Sequence, residues 1–181
     1  MREWKLVRSV RGPSFKVFSV RTDTVRSPVT RSNVDFYAVE TLPCASIIAL
    51  TGRGEVVMVR QYRHGTREFT LELPGGLVEK GLSPEETAKK ELLEETGYRA
   101  GNAVLLGKAY PLPAILTTSF YCYFAEPVEQ TGEQDLDSTE DIEVVLVPLE
   151  KVREYIGSGH INHALVVTSF FWYFERFKRL C

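Results

Sequence analysis

The sequence has few cysteines, no long apolar segment and little net charge, and each absence excludes a class of protein. Its 181 residues include three scattered cysteines, Cys44, Cys122 and Cys181, which suit neither a disulfide framework nor a cysteine-based metal site. The longest apolar run, residues 164–174, is shorter than the ~20 residues of a membrane span. A net charge of −2 gives no basic surface for nucleic acid, and the charged start lacks the apolar core of a signal peptide. We therefore expect a cytoplasmic protein that binds neither nucleic acid nor membranes.

Alternating apolar and polar residues predict a strand-rich segment at the start of the chain. The predicted strands are residues 4–8, 15–25 and 32–40, with breaks at Gly12-Pro13 and Ser27-Pro28. Two or three such strands bury little apolar surface alone, so they must pack on the rest of the chain or on a second chain. We predict that residues 1–40 form a small β-rich part that contributes to a homodimer.

From residue 41 onward the pattern is that of a central sheet with helices. Apolar runs predict strands at residues 44–50, 55–63, 68–74, 104–110, 115–125 and 142–147. The first two are joined by residues 51–54, Thr-Gly-Arg-Gly, which suit a hairpin connection. In the third, Phe69, Leu71 and Leu73 share one face. The last strand is nearly continuously apolar, which predicts burial on both faces.

Two further helices are predicted at residues 149–156 and from residue 161 to about residue 178. The second is apolar around most of its circumference, whereas a helix with one core face needs fewer apolar positions. Its apolar side chains therefore either all pack in the core of the domain or pack partly in the core and partly in a subunit interface.

Residues 72–98 combine the end of a strand, a glycine-rich loop and an acidic helix. Ser83 suits the N-cap position of this helix, and Pro84 suits its first turn. Glu86, three residues after the cap, completes a capping box. Gly97 is a typical C-terminal stop.

Three glutamates of this helix, Glu91, Glu94 and Glu95, have the spacing of side chains on one helix face. Like charges at these spacings repel, and the helix dipole disfavours negative charge near the C-terminus. A divalent cation would make the cluster favourable, because Mg2+ and Mn2+ take carboxylate oxygens as ligands. The alternative is a solvated acidic face, partly neutralised by Lys90 one turn before Glu94.

The loop and helix together resemble the Nudix box, G-x5-E-x7-R-E-U-x-E-E-x-G-U, in which U is a bulky apolar residue. The matching positions are Gly76, Glu91, Leu92, Glu94, Glu95, Gly97 and Tyr98. Leu82 and Lys90 replace a glutamate and an arginine that form a supporting ion pair in the family. Because both partners of the ion pair are replaced, no charge is left without a partner. Glu86 can pair with Lys90 at i, i+4 instead. The resemblance thus implies an intact metal site with an altered brace for the loop.

The sequence VRQYR followed by ELPGGLVEKG resembles the ADP-ribose pyrophosphatase branch of the Nudix family. This resemblance implies that Arg63 and Glu79 bind substrate or metal and that the Gly75 carbonyl is a metal ligand. An arginine also suits a pyrophosphate, because its paired donors match phosphate oxygens, although both side chains can equally be surface charges. Glu72 can orient substrate or a loop arginine. Pro113 fits the signature of this branch, and a proline that ends a strand is an equally good interpretation.

Residues 133–141 form a second acidic cluster just before the last strand. Such a loop can simply be a soluble connection. In the resembling pyrophosphatases a loop at this place supplies a glutamate that binds metal or activates water. Glu140 is the best match. Ser138 occupies the neighbouring family position, so the base is either absent or replaced by Asp137 or Glu140.

We therefore predict an α/β protein with a Nudix-type α/β/α sandwich and a mixed β-sheet over residues 41–181, preceded by the β-rich part. The resemblance implies Mg2+-dependent hydrolysis, with Mn2+ as a possible substitute, of the pyrophosphate bond of a nucleotide-sugar. ADP-ribose is the lead candidate, and the products are a nucleoside monophosphate and a sugar phosphate. The implied catalytic residues are Glu94, Glu95 and Glu140, and the implied metal ligands are Gly75, Glu91, Glu94, Glu95 and Glu140. The alternatives are a GDP-mannose or other NDP-sugar pyrophosphatase and a weakly active nucleotide-sugar sensor.

The histidines His64, His160 and His163 have no partners for a metal triad and are assigned no role.

Overall fold

The computed structural model describes residues 2–177. Cys181 and the predicted end of the last helix near residue 178 lie outside this range. The chain divides into two compact units, one made of residues up to Pro43 together with Tyr110–Ser119, and the other of Cys44–Ala109 and the chain from Phe120 onward. The dimer-forming role predicted for residues 1–40 stays a prediction.

The first unit contains a three-stranded antiparallel sheet in the order β1-β2-β3. The strands are β1 (Lys5–Ser14), β2 (Ser19–Arg26) and β3 (Asn33–Glu40). The predicted break at Gly12-Pro13 is wrong, since β1 continues to Ser14 with a shift in its register against β2. Proline is tolerated there because β1 is an edge strand and the shift relaxes the hydrogen-bond ladder.

The second unit is built on a mixed sheet. Its strands are β4 (Cys44–Thr51), β5 (Glu55–Arg63), β6 (Glu68–Glu72), β7 (Gly75–Leu77), β8 (Tyr98–Arg99), β9 (Val104–Ala109), β10 (Phe120–Gln130) and β11 (Ile142–Pro148). The central order is β11-β5-β4-β10, with β6 beside β5, β7 beside β4, and β9 beside β10. Only the pair of β4 and β10 is parallel among these strands of the described chain.

Helices cover both faces of this sheet. The helices are α1 (Pro84–Thr96), α2 (Val152–Gly157), preceded by a 3-10 turn (Leu149–Lys151), and α3 (Ala164–Phe177). Alternate residues of β4 enter two different cores: Ile47 packs in one cluster with Leu92 of α1, and Ile48 packs in the other with Phe170 of α3. The α/β/α layering is therefore as predicted. Within residues 2–177, no helix combines the length and apolar character of a membrane span.

Several predicted boundaries are wrong. The strand predicted at residues 115–125 is Phe120–Gln130, because the preceding backbone hydrogen-bonds to Val39 of the first unit's own strand β3. The helix predicted from residue 161 begins at Ala164. Strand β11, predicted to be buried on both faces, is only partly buried between its ends, because it lies at the edge of the sheet.

Candidate functional site

The predicted caps fix both ends of α1. The Ser83 hydroxyl accepts a hydrogen bond from the Glu86 backbone N–H at 3.2 Å, and the Glu86 carboxylate accepts one from the Ser83 N–H at 2.7 Å. Gly97 ends the helix in the left-handed region at φ 74°. The predicted pairing of Glu86 with Lys90 is therefore wrong, because the Glu86 carboxylate is engaged at the N-cap.

The glycine pair of β7 lets the strand lie directly against the helix carboxylates. The Gly75 N–H donates to Glu95 Oε2 at 3.0 Å. A Cβ atom at Gly76 would collide with the carboxylate of Glu91, and one at Gly75 would collide with the carbonyl of Ala45. Gly75 therefore lets β7 approach the backbone of β4, and Gly76 lets it approach the Glu91 carboxylate of α1 in its observed position.

Glu91 and Glu95 are held in an environment that disfavours their charged forms. Burial raises the pKa of Glu95 to about 8, and the charges of Glu91 and Glu140 add to this rise against the opposing hydrogen bond from Gly75. Burial also raises the pKa of Glu91 to about 7, with further increases from Glu94, Glu140 and Glu79. The site therefore concentrates carboxylates where water solvates them poorly.

Lys90 bridges the loop and the helix. Its ammonium group lies 2.6 Å from Glu94 Oε2, one turn further along α1, and 3.1 Å from Glu79 Oε1 in the loop before the helix. The side-chain hydrogen bond to Glu94 is the main cause that raises the pKa of Lys90. Glu79 is thus paired with Lys90 in this structure, and Glu94 is partly neutralised by it.

Arg63 and Glu72 form a two-pronged ion pair beside the carboxylates. Arg63 Nε and Nη2 donate to the two Glu72 oxygens, each at 2.6 Å, and the Thr70 hydroxyl donates to Glu72 Oε1 at 2.5 Å. Although burial alone raises the pKa of Glu72, the bonds from Arg63 and Thr70 hold it below its ordinary value. Glu72 thus pairs with Arg63 at the end of β5, and its predicted role in orienting substrate or a loop arginine stays a prediction.

Strand β6 buries the opposite face from the one its apolar residues suggest. Glu72 is only 4% exposed and Thr70 is also buried, whereas Phe69 is 68% exposed. Of the three apolar residues predicted to share a face, Leu73 is buried and Leu71 only partly so. The ion pair with Arg63 compensates the burial of the polar face.

A pocket of about 240 Å3 opens next to this ion pair. Its polar lining includes Arg63, Glu72 and His163, and its walls also include Gly75 and Gly76. The remaining lining residues are mainly apolar, namely Cys44, Ala45, Ser46, Leu73, Leu77, Phe120, Leu165 and Val166. His163 Nε2 lies 3.8 Å from Glu72 Oε2. The pocket is therefore mainly apolar, and one of its walls is strand β7, which contacts the carboxylates of α1.

Glu140 approaches the site from residues 131–141, the loop between β10 and β11, which we call the acidic loop. Its carboxylate accepts a hydrogen bond from the Asp137 N–H at 2.9 Å and is exposed. Its charge contributes to the raised pKa of both Glu91 and Glu95. Pro113 lies in the segment Tyr110–Ser119 of the first unit, and its predicted role stays a prediction.

The donor set suits a divalent cation in an open site. Glu91 and Glu95 offer desolvated carboxylate oxygens, with other carboxylates nearby. Within residues 2–177, no group of three or more His, Cys, Asp and Glu side chains is arranged so that it could by itself hold a metal ion. Mg2+ commonly keeps several waters and takes one or two protein carboxylates together with substrate phosphates. The residues therefore fit a divalent cation such as Mg2+ that takes only part of its ligands from the protein.

Three residues at the site were not predicted from the sequence: Thr70, His163 as a neighbour of Glu72, and Gln134 in the acidic loop. The Gln134 side chain donates to the carbonyl of Glu95 at 2.7 Å and to that of Ile142 at 3.0 Å. Alternation in β6 places Thr70 on the same face as Glu72 and could have indicated its role. The contact of Gln134 with α1 spans 39 residues of sequence, and no local pattern indicates it.

Comparison with known proteins identifies the family. A family model described as the NUDIX domain matches residues 40–167. The chain is 33% identical over 120 residues to an ADP-ribose pyrophosphatase of Bacillus subtilis, covering 66% of this chain and 65% of that protein. It is 32% identical over 118 residues to a GDP-mannose pyrophosphatase of Pectobacterium atrosepticum, covering 61% of each chain. The chain thus spans somewhat less than two thirds of the length of these relatives.

A solved structure described as an ADP compounds hydrolase shares the fold, with a TM-score of 0.86 over 98% of this chain and 96% of that one. The sequence identity in this comparison is 20%, so it bears on the fold alone, and it confirms the predicted Nudix-type α/β/α architecture. The matched family model includes the whole glycine loop and α1. The chain belongs to the Nudix hydrolase family, as the box over residues 76–98 predicts.

Proposed function

We propose that this chain hydrolyses the pyrophosphate bond of a nucleoside diphosphate sugar, with ADP-ribose as the lead candidate and Mg2+ or Mn2+ as the cofactor. The observation that carries the proposal is the pair of poorly solvated carboxylates, Glu91 and Glu95, next to an ion-paired arginine and an open pocket. Buried acids surrounded by like charges are costly unless a cation or a proton compensates them. The products are a nucleoside monophosphate and a sugar phosphate.

The residues that would hold the cation are Glu91, Glu94, Glu95, Glu140 and the carbonyl of Gly75. When bound, the cation supplies positive charge against the substrate phosphates and makes an attacking water more acidic. The hydrogen bond from the Gly75 N–H fixes the Glu95 carboxylate at 3.0 Å. The chain thus orients at least one ligand oxygen before substrate arrives.

Arg63 binds the phosphates in this proposal. A guanidinium carries five N–H donors, and the two bonds to Glu72 use only two of them. The Arg63 side chain is 45% exposed, so its outer edge is accessible to a ligand. Glu72 keeps the guanidinium plane fixed, and the remaining donors stabilise the charge that develops on phosphate oxygens.

Glu140 orients the attacking water or accepts its proton. Its carboxylate is exposed and close enough to Glu91 and Glu95 to affect both electrostatically. A general base must lie within hydrogen-bond reach of the water, directly or through one more water. Asp137, whose N–H contacts Glu140, is the alternative base. Glu94 and Glu95 act through the cation site rather than as this base.

The names of the relatives support a nucleotide-sugar and leave its identity open. The Bacillus subtilis relative is named for ADP-ribose and the Pectobacterium atrosepticum relative for GDP-mannose. Their similarity to this chain is nearly equal, at 33% and 32% identity. ADP-ribose remains the lead because VRQYR and ELPGGLVEKG match that branch. GDP-mannose or another NDP-sugar is the second candidate.

The proposal is tested by measuring phosphate released after phosphatase coupling from ADP-ribose, GDP-mannose, other NDP-sugars and nucleoside triphosphates. We expect rapid turnover of one NDP-sugar with Mg2+ and almost none with EDTA. Preference for a triphosphate would contradict the proposed substrate class. Tight binding of one NDP-sugar without turnover would replace the hydrolase with a nucleotide-sugar sensor.

We also propose that the first unit contributes to a homodimer. This unit exposes many large apolar side chains, namely Trp4, Leu6, Val7, Val10, Phe15, Val17, Phe18, Val34, Phe36 and Tyr37. Exposed apolar surface of this kind commonly marks a protein interface. Light scattering should give twice the chain mass, and Phe36→Asp with Leu6→Asp should lower it to one chain. The same mass for the wild type and the double variant would contradict the proposed interface.

A further inference from the structure

The acidic loop is held against α1 mainly by hydrogen bonds. Except for Leu136, which is half-buried, residues 131–141 are exposed. A crevice of about 580 Å3, lined by Thr96, Tyr98, Gln130, Glu133, Gln134, Val144 and Leu146, adjoins the loop. Apolar packing therefore contributes little to the position of this loop, and polar contacts must supply the rest.

Most of these polar contacts involve the C-terminal end of α1. The Thr131 and Gly132 N–H groups donate to the Gly97 carbonyl at 2.9 and 3.2 Å, and the Asp135 N–H donates to the Glu94 carbonyl at 2.8 Å. A Cβ atom at Gly97 would collide with the Gly132 carbonyl. The last carbonyls of a helix lack partners within the helix, so the loop satisfies groups that α1 leaves open.

Gln134 is the one residue whose side chain joins both ends of this arrangement among the described hydrogen bonds. Its amide nitrogen donates to the carbonyl of Glu95 at 2.7 Å and to the carbonyl of Ile142 at 3.0 Å. Glu95 is a proposed cation ligand, and Ile142 begins β11 only two residues after Glu140. The two amide N–H groups thus connect the backbone of α1 at Glu95 to the start of β11, two residues after Glu140.

We infer that Gln134 is a positioning residue that sets the distance between Glu140 and the carboxylates of α1. The inference rests on the proposed function, because the effect on turnover requires Glu140 to act in the reaction. Gln134 itself touches no reacting atom. Its amide acts through two backbone carbonyls, so any side chain that keeps two N–H donors at this reach preserves the arrangement in part.

The test compares variants that differ in donor capacity. Gln134→Met keeps the length without donors, and Gln134→Lys restores N–H donors. Gln130→Met is the matched control, because Gln130 borders the same crevice and its side chain has no described hydrogen bond. We expect Gln134→Met to lower kcat about tenfold with KM within about twofold, as the loss of one or two partly buried hydrogen bonds allows. Gln134→Lys should recover part of this loss, and Gln130→Met should behave as the wild type.

Hydrogen exchange supplies the readout that does not depend on activity. In Gln134→Met the amides of residues 131–140 should exchange faster, while those of the first turns of α1 stay unchanged. Unchanged exchange in the acidic loop would overturn the inference, because Gln134 would then not hold the loop. Faster exchange with unchanged kcat would overturn it as well, because the loop position would not matter. If the wild type hydrolyses no NDP-sugar, the proposed function fails, while the exchange rates still report whether Gln134 holds the loop.

Discussion

The two sources of carboxylates at this site are held in different ways. Glu91 and Glu95 lie on a capped helix that packs on the sheet, and their carboxylates contact the glycine pair of β7. Glu140 lies on an exposed loop that depends on hydrogen bonds to the end of the same helix. The helix side thus provides a fixed, poorly solvated set of charges. The loop side provides a carboxylate that water can reach and whose position depends on few contacts.

The difference predicts that the helix carboxylates are the more sensitive to substitution. Glu95→Gln should lower kcat by at least about 10²-fold, because it removes a charge aimed at the proposed cation and keeps the side-chain shape. The measurement is steady-state hydrolysis of ADP-ribose with saturating Mg2+. Glu85→Gln, on the first turn of α1 and ion-paired to Lys89, is the matched control and should retain activity. Equal activity of the two variants would remove Glu95 from the site.

The ion pair of Arg63 and Glu72 should affect both stability and activity. Arg63→Met leaves the buried Glu72 carboxylate without its main partner and should lower the free energy of unfolding by about 1–3 kcal/mol. Chemical denaturation measures this change. Arg63→Met combined with Glu72→Met should recover much of the lost stability but no activity. Recovery of turnover in the double variant would contradict a role for Arg63 in phosphate binding.

The raised pKa values predict a pH-dependent stability in the absence of divalent cations. Between pH 4.5 and about 8, the folded state binds more protons at Glu91 and Glu95 than the unfolded state does. The free energy of unfolding should therefore fall as the pH rises through this window. Thermal unfolding from pH 5 to pH 9 measures the slope, with each kcal/mol worth roughly 2–4 °C in Tm.

The doubly substituted protein, Glu91→Gln with Glu95→Gln, is the control for this slope, because other titrating groups are common to both proteins. Its Tm should decline less than that of the wild type above pH 6. Addition of Mg2+ at pH 8.5 should raise the Tm of the wild type and leave that of the double variant unchanged. Parallel pH profiles for the two proteins would show that these carboxylates are not the source of the effect.

The ion pairs of Lys90 should have the smallest effect, because they are partly exposed and such pairs contribute about 0–1 kcal/mol. Glu79→Gln should change kcat/KM by less than about fivefold, through a looser loop before α1. Because Glu79 already pairs with Lys90 at 3.1 Å, Leu82→Glu with Lys90→Arg should bring little gain in activity. A large gain would show that the Glu79 pair does not replace the family's brace.

The helix side of the site could be predicted from sequence because its signals are local. Ser83, Glu86 and Gly97 lie within one helix length of the glutamates they help to place, and the observed caps match the prediction. The same holds for β4, whose continuous apolar run is divided between two cores. Periodicity and capping depend on neighbours in sequence, and these are visible in a single chain.

The parts that sequence did not reveal depend on contacts between distant segments. In β6 the alternation predicted only that Phe69, Leu71 and Leu73 share one face, whereas the pairing of Glu72 with Arg63 accompanies burial of the polar face. The contact of Gln134 with Glu95 has no sequence signal, because any of several polar residues in the acidic loop could have reached α1. Such choices are decided by tertiary packing.

The most direct test of the proposed site is the binding of Mn2+ at pH 8, measured by calorimetry on the wild type, Glu85→Gln, and Glu91→Gln with Glu95→Gln. If the poorly solvated pair on α1 holds the cation, the double substitution should weaken binding at least about tenfold, while Glu85→Gln leaves it unchanged. Equal affinity of all three proteins would contradict the assignment of the cation to α1.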